Sequence, residues 1–134
     1  MQQITVTLSP ADILTLDTIP VELLPAPGAN RVLIPIAAIA RVHFNLNPYF
    51  GAGTFSIALR GPTQKEQWKT GLDADLGLGG NTERYEILSP TPGNTDDPVN
   101  CQNEPLLIFS TTGPFTGGDS AIEFTILYMI AKIP

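Results

Sequence analysis

The chain has 134 residues, the length of one domain, and 43% of them are apolar, which is enough to form a hydrophobic core. Charged side chains make up 15%, and 13 acidic against 7 basic residues give a net charge of −6, which disfavours binding to nucleic acid or to an anionic membrane. The single cysteine excludes an internal disulfide, and 13 prolines with 12 glycines favour short strands and turns over long helices.

The first predicted element is a half-buried strand over residues 3–8. Apolar and polar side chains alternate there, which is the pattern of a strand with one face on a core. The apolar positions are Ile4, Val6 and Leu8. A short helix is then expected over residues 9–16, because Ser9 can cap it and Pro10 suits its first position.

Two segments that contain proline follow. Pro20 has no N–H for a sheet ladder, so the strand at residues 19–24 is expected to lie at a sheet edge or to begin at Val21. Residues 31–44 form the longest predicted strand, and their even-numbered positions are all apolar, which assigns them to one face. Pro35 within this strand predicts a bulge or an unpaired stretch.

Four further segments are predicted to be strands, because apolar residues alternate in them or fill them. These segments are residues 54–60, 84–88, 104–110 and 120–132. Residues 61–70 are compatible with a strand and with a short helix. Residues 72–81 and 89–103 are predicted loops, since the first is rich in Gly and Asp and the second in Pro, Asn and Asp.

The number and spacing of these strands predict the fold. Seven or eight short strands joined by turns are typical of an all-β, antiparallel two-sheet β-sandwich, of which the jelly roll is one form. The one helical turn near residues 9–16 is the exception to this pattern. The sequence contains no internal repeat and no linker-like stretch, so a single domain over residues 1–134 is expected.

Candidate catalytic groups are few. His43 is the one histidine, and its position in an apolar strand favours a structural role. Cys101 lies in a polar loop without a neighbouring Lys or Arg that would activate the thiol. An EF-hand that begins at Asp73 would need Gly where Leu78 stands and Glu where Arg84 stands. We therefore predict no catalytic site, no cofactor and no metal centre, and expect that the chain is not an enzyme.

A looser calcium site remains an alternative to this prediction. Carboxylates in the two predicted loops are suitable oxygen ligands for that ion. They are Asp73, Asp75, Asp96 and Asp97. A small hydrolase with paired catalytic carboxylates is a weaker alternative, and a single Trp gives little basis for a cleft that stacks on sugars.

The sequence contains more apolar surface than one small sandwich is expected to cover. Both faces of residues 31–44 are largely apolar, as are both faces of the end of the last strand. Exposed apolar area of this kind indicates contact between proteins, so we expect an oligomer, with a trimer favoured. The predicted partner contacts are Leu72, Leu76, Leu78, Asp96, Asp97, Val99, Met129 and Ile133.

Three motifs resemble those of small structural proteins of tailed bacteriophages. The motifs are Ser9-Pro10-Ala11-Asp12-Ile13-Leu14, then Pro20-Val21-Glu22-Leu23-Leu24-Pro25-Ala26-Pro27-Gly28, and then Gly117-Gly118-Asp119 before a final strand with Tyr128. The resemblance covers both ends of the chain and leaves residues 61–103 unmatched.

This resemblance implies a non-enzymatic virion protein that is made in the host cytoplasm and lies on the capsid exterior. Such a capsid cement or decoration protein would bridge capsid subunits by binding the major capsid protein and other copies of itself. The alternative is a receptor- or glycan-binding module of a tail fibre or spike. The two differ in copy number, because a cement protein is roughly as abundant as the capsid subunits.

Overall fold

The computed structural model describes residues 1–59, 68–73, 84–88 and 102–133. These residues form two four-stranded sheets, a two-stranded ribbon and one short helix. The elements are β1 (Gln2–Leu8), α1 (Pro10–Leu14), β2 (Val21–Leu24), β3 (Arg31–His43), β4 (Phe50–Gly51), β5 (Thr54–Leu59), β6 (Trp68–Asp73), β7 (Arg84–Leu88), β8 (Leu106–Phe109), β9 (Phe115–Thr116) and β10 (Ala121–Lys132). The predicted all-β, antiparallel fold is confirmed.

The two large sheets share one apolar core. The first sheet has the strand order β1-β10-β3-β7, the second has the order β2-β8-β5-β6, and β4 pairs with β9 in the small ribbon. The ring of Phe55 on β5 lies edge-on to the ring of Phe124 on β10, with centroids 6.0 Å apart. Both side chains are fully buried, so the inner faces of the two sheets pack on each other.

The strand pairings are nested along the chain. The first strand, β1, pairs with the last, β10; β2 pairs with β8, β3 with β7, and β5 with β6. Each of these pairings is antiparallel and lies within the one before it in sequence. The chain therefore resembles one long antiparallel ribbon that has been folded over to give two sheets.

The helix and the following strand begin where the sequence predicts. The hydroxyl of Ser9 accepts the N–H of Asp12 at 3.2 Å, and the Asp12 carboxylate accepts the N–H of Ser9 at 3.0 Å. This capping box, with Pro10 in the first turn, fixes the start of α1. The next strand, β2, begins at Val21 directly after Pro20, and it lies at the edge of the second sheet.

A bulge in β3 changes which residues face the core. Along β10 the pairing with β3 skips Ile36, which is left as an extra residue beside Pro35. Leu33 before the bulge is buried and Ile34 is exposed. After the bulge the buried positions are Ala38, Ala40 and Val42. The predicted bulge is confirmed, whereas the prediction that all even-numbered positions share one face is wrong for Ile34, because an extra residue inverts the alternation.

One residue of a predicted loop lies in a strand of the second sheet. Leu72 was expected in the Gly-rich loop, but β6 extends to Asp73, so the backbone of Leu72 belongs to that strand. This strand also occupies the end of the segment that was compatible with strand or helix, residues 61–70. The remainder of the two predicted loops lies outside the described residues, apart from the turn at Gln102 and Asn103.

Candidate functional site

The outer face of the first sheet carries a continuous row of apolar side chains across three strands. Ile39 on β3 is paired with Ile87 on β7, and residues in register across a sheet project from the same face. Along β10, Leu127 is paired with Ala37, and the next residue on that face, Met129, is paired with Ile34. We call these six residues the outer patch. They are Ile34, Ala37, Ile39, Ile87, Leu127 and Met129.

The outer patch is accessible in the single chain. Ile87 is 77% exposed, Met129 is 47% exposed and Ile39 is 45% exposed. A shallow recess of about 340 Å³ lies among these strands. Its lining is formed by Gln3, Ala37, Ala38, Ile39, Ile87, Thr125 and Leu127. A rigid sheet thus presents apolar groups and a recess to the solvent, which is the usual character of a contact surface between proteins.

The same face becomes polar toward the other end of the sheet. Arg41 is in register with Glu123 on one side and with Tyr85 on the other. Its guanidinium lies 5.4 Å from the centroid of the Tyr85 ring, within the range of a cation–π contact. His43 Nε2 lies 3.7 Å from Glu123 Oε2. The outer face therefore has an apolar half, which contains the outer patch, and a charged half with interacting side chains.

Asp119 organises the loop at the charged end of the sandwich. Its Oδ1 accepts the backbone N–H groups of Leu46 at 3.1 Å and Asn47 at 2.8 Å, and its Oδ2 accepts the side-chain amide of Asn47 at 3.0 Å. The side-chain amide of Asn45 is also 3.3 Å from Oδ2. These bonds, led by that from the Asn47 N–H, lower the pKa of Asp119. The carboxylate serves to hold the loop.

Tyr49 closes the core at this end. Its ring is fully buried and its hydroxyl donates to the carbonyl of Ser120 at 2.7 Å. Burial, with a smaller contribution from the Asp119 charge, raises the pKa of this hydroxyl above its ordinary value. A Cβ at position 118 would overlap the Tyr49 ring, so Gly118 is required for this packing. The Gly117-Gly118-Asp119 motif thus has a structural explanation.

Three of the eight predicted contact residues lie in the described part of the chain. Met129 is exposed in the outer patch. Ile133 is half-buried, and its N–H donates to the carbonyl of Asn30 at 2.8 Å, which ties the end of the chain to the turn before β3. Leu72 lies in β6. The other predicted contact residues lie outside the described residues: Leu76, Leu78, Asp96, Asp97 and Val99.

Sequence reasoning missed the most exposed member of the outer patch. The sequence predicts a short strand over residues 84–88 through Tyr85 and Ile87, and neither residue was among the predicted partner contacts. The structure buries Leu88 and exposes Ile87. The two apolar residues Ile87 and Leu88 are adjacent, so this short strand has an apolar residue for each face and its sequence contains no signal that selects the inner one.

The described residues offer little chemistry beyond this surface. Among them, no group of three or more His, Cys, Asp or Glu side chains is arranged to hold a metal ion. Of the alternative calcium ligands, Asp73 ends β6, and Asp75, Asp96 and Asp97 lie outside the described residues. No helix in the described ranges is long and apolar enough to cross a bilayer. No protein family, curated protein or solved structure matches this chain.

Proposed function

We propose that the chain is a non-enzymatic structural protein of a tailed-phage virion, a cement or decoration protein that binds the major capsid protein on the capsid exterior. The observation that carries this proposal is the outer patch, where the first sheet exposes the paired residues Ile39 and Ile87 and, farther along β10 on the same face, Met129. Apolar area removed from water contributes about 25 cal/mol per Å². Covering the outer patch with a capsid subunit would therefore stabilise the complex between the chain and the capsid.

The nested strand pairings support a jelly-roll connectivity. A jelly roll results when a long antiparallel ribbon is rolled into two four-stranded sheets, and the order of strands here is the one such rolling produces. Jelly rolls are common in viral capsid and lectin domains. Because a fold alone does not define a function, this agreement supports the virion assignment only together with the outer patch.

The geometry also suits a cement protein mechanically. The outer patch lies on β3, β7 and β10, the paired strands of one sheet, so little conformational entropy is lost when the surface is covered. The charged half of the same face, with Arg41, Tyr85 and Glu123, would orient the contact because a wrong orientation leaves these groups unpaired. The apolar half would supply most of the binding free energy, and the charged half would set the orientation of the chain on the capsid.

The test is binding of the purified chain to capsids from which it has been stripped. The wild-type chain should co-sediment with the capsids in a saturable manner and restore their resistance to heat. Ile87→Lys should weaken this binding at least tenfold, because it places a charge within the patch. Leu46→Lys is the matched control, since Leu46 has the same exposed fraction of 77%, undergoes the same charge change and lies in an end loop.

Two outcomes would contradict the proposal: equal binding by the two variants, or no saturable binding of the wild-type chain to any capsid preparation. In the first case the outer patch is not the contact surface. In the second case the chain is not a cement protein.

A receptor- or glycan-binding module is the second candidate, because Tyr85 exposes its ring on the charged half of the outer face. An exposed ring with polar neighbours is a suitable platform for a sugar. This alternative predicts saturable binding to bacterial surface glycans that Tyr85→Ala abolishes and Ile87→Lys leaves intact. Binding to stripped capsids with no glycan binding would exclude it.

A further inference from the structure

Strand β1 lies at an edge of the first sheet and has one free side in the described part of the chain. It pairs with β10 over seven consecutive residues, from Gln2 to Leu8, without any shift of register. The described elements give it no second strand neighbour. The backbone N–H and C=O groups on its free side are therefore available to another strand.

The other edge strands carry charged residues, which discourage pairing between molecules. Glu22 is in β2, Lys69 and Asp73 are in β6, and Arg84 and Glu86 are in β7. The sequence of β1, QQITVTL, has no charged residue, no proline and no bulge, and it is the longest of the four. Natural sheets protect their exposed edges with charges, prolines, bulges or short strands. The edge at β1 has none of these protections.

The core is also incompletely covered along β1. Ile4 and Val6 point to the inner side of the sheet and pack against the core, yet both are only half-buried. Their register partners on β10, Ile126 and Phe124, are fully buried. A further strand beside β1 would cover the two half-buried side chains. With respect to the described residues, the edge is thus open both in its hydrogen bonding and in its apolar packing.

We propose that β1 pairs antiparallel with β1 of a second copy of this chain, about a two-fold axis at Thr5, so that the first sheets of the two copies join into one. In this register Thr5 faces Thr5 of the second copy, and Ile4 faces Val6 of the second copy. Gln3 likewise faces Thr7 of the second copy. Over residues 3–7 the inner positions are then apolar and the outer positions polar, while Gln2 faces Leu8 of the second copy at each end, so the central part of the strand is complementary to itself.

Two features select a second copy as the occupant. The chain carries a net charge of −6, but β1 itself is uncharged, so two copies can approach at this edge without placing like charges opposite each other. Thr5 already forms a cross-strand pair with Thr125, with their hydroxyl oxygens 3.2 Å apart. The two-fold pairing extends this row of threonines across the interface, and Thr–Thr pairs are favourable neighbours on a sheet.

This inference goes beyond the proposed function, because it uses neither the outer patch nor a capsid. It predicts a two-fold dimer in place of the trimer that the sequence favours. Sedimentation equilibrium of the full-length chain should show a monomer–dimer equilibrium. Thr5→Lys should raise the dissociation constant at least tenfold, since the two substituted side chains meet at the axis. Thr111→Lys makes the same change at an exposed loop position and should leave the equilibrium unchanged.

A cross-linking experiment tests the register itself and does not depend on the fold tolerating a lysine. With Cys101→Ser as background, Thr5→Cys should form a disulfide-linked dimer under mild oxidation, because residues opposite each other on paired strands bring their Cβ atoms within reach. Gln3→Cys and Thr7→Cys should each cross-link poorly alone and efficiently when mixed. A wild-type monomer at all concentrations, a three-fold oligomer, or Thr5→Cys cross-linking no better than Thr111→Cys would each overturn the proposal, whatever the outcome of the capsid experiment.

Discussion

Both faces of the first sheet carry apolar side chains, but those on the inner face are covered by the rest of the chain and many of those on the outer face are not. On the inner face, Ile122, Phe124 and Ile126 of β10 are fully buried under the second sheet. On the outer face, the alternate residues Leu127 and Met129 belong to the outer patch and are partly or largely exposed. Apolar character alone therefore does not separate a core from an interface. The presence of a covering layer in the same chain makes the difference.

The largest expected effect of a substitution is on the inner face. Phe124→Ala should lower the free energy of unfolding by about 3–5 kcal/mol, because it removes a fully buried ring and leaves a cavity beside Phe55. Denaturant unfolding followed by circular dichroism measures this loss. Met129→Ala, on the opposite face of the same strand, should cost less than about 1 kcal/mol. Similar losses for both variants would mean that the two faces are equally covered within the single chain.

The next effect tests how far the inner core extends beyond the strands. Gly118→Ala should destabilise the chain by about 1–3 kcal/mol, since the added Cβ overlaps the buried ring of Tyr49. Gly28→Ala is the control, because its Cβ would meet no atom within 4 Å and only the positive φ of 104° opposes it. A melting temperature for Gly118→Ala equal to that of the wild-type chain would show that the Tyr49 loop is not part of the core, and Gly28→Ala gives the size of a backbone effect without a steric overlap.

Much of the fold could be predicted because its signals are local. The alternation of Ile4, Val6 and Leu8 gives β1, and the capping residue Ser9 with Pro10 gives the start of α1. The same alternation of apolar and polar residues predicts β5 and β10. These patterns depend on residues that are neighbours in sequence, so they can be interpreted without knowledge of the tertiary structure.

The candidate site could be predicted only in part because it depends on contacts between distant segments. The extra residue Ile36 reverses the alternation of inner and outer side chains in β3. The sequence indicates a bulge near Pro35, but it does not show which side chains before and after the bulge face the core. In β7 the adjacent Ile87 and Leu88 compete for the core, and the neighbouring strand decides between them. The bonds from Asp119 to Asn47 join residues 72 positions apart. None of these choices is determined by local sequence.

A smaller effect concerns the loop that Asp119 holds at the end of the core. Because its pKa is lowered in the folded chain, this carboxylate stabilises the fold above the unfolded-state pKa of about 3.9. The contribution is lost as the pH falls through the lower folded-state value. Asp119→Asn should therefore have a melting temperature that depends less on pH below about 4 than that of the wild-type chain. Identical curves for Asp119→Asn and the wild-type chain would show that the loop does not depend on the carboxylate.

The smallest effect on stability is expected at Ile87 of β7, whose neighbour in sequence, Leu88, lies on the inner face. Ile87 is 77% exposed on the outer face, and Leu88 is 2% exposed on the inner face. Ile87→Thr should change the free energy of unfolding by no more than about 0.5 kcal/mol, because Thr is a good strand former and no buried contact is lost. Leu88→Thr should cost at least about 2 kcal/mol, since it places a hydroxyl in the core. If Ile87→Thr is as harmful as Leu88→Thr in the isolated chain, then Ile87 is covered by the chain itself, and the outer patch has no area left for a capsid subunit.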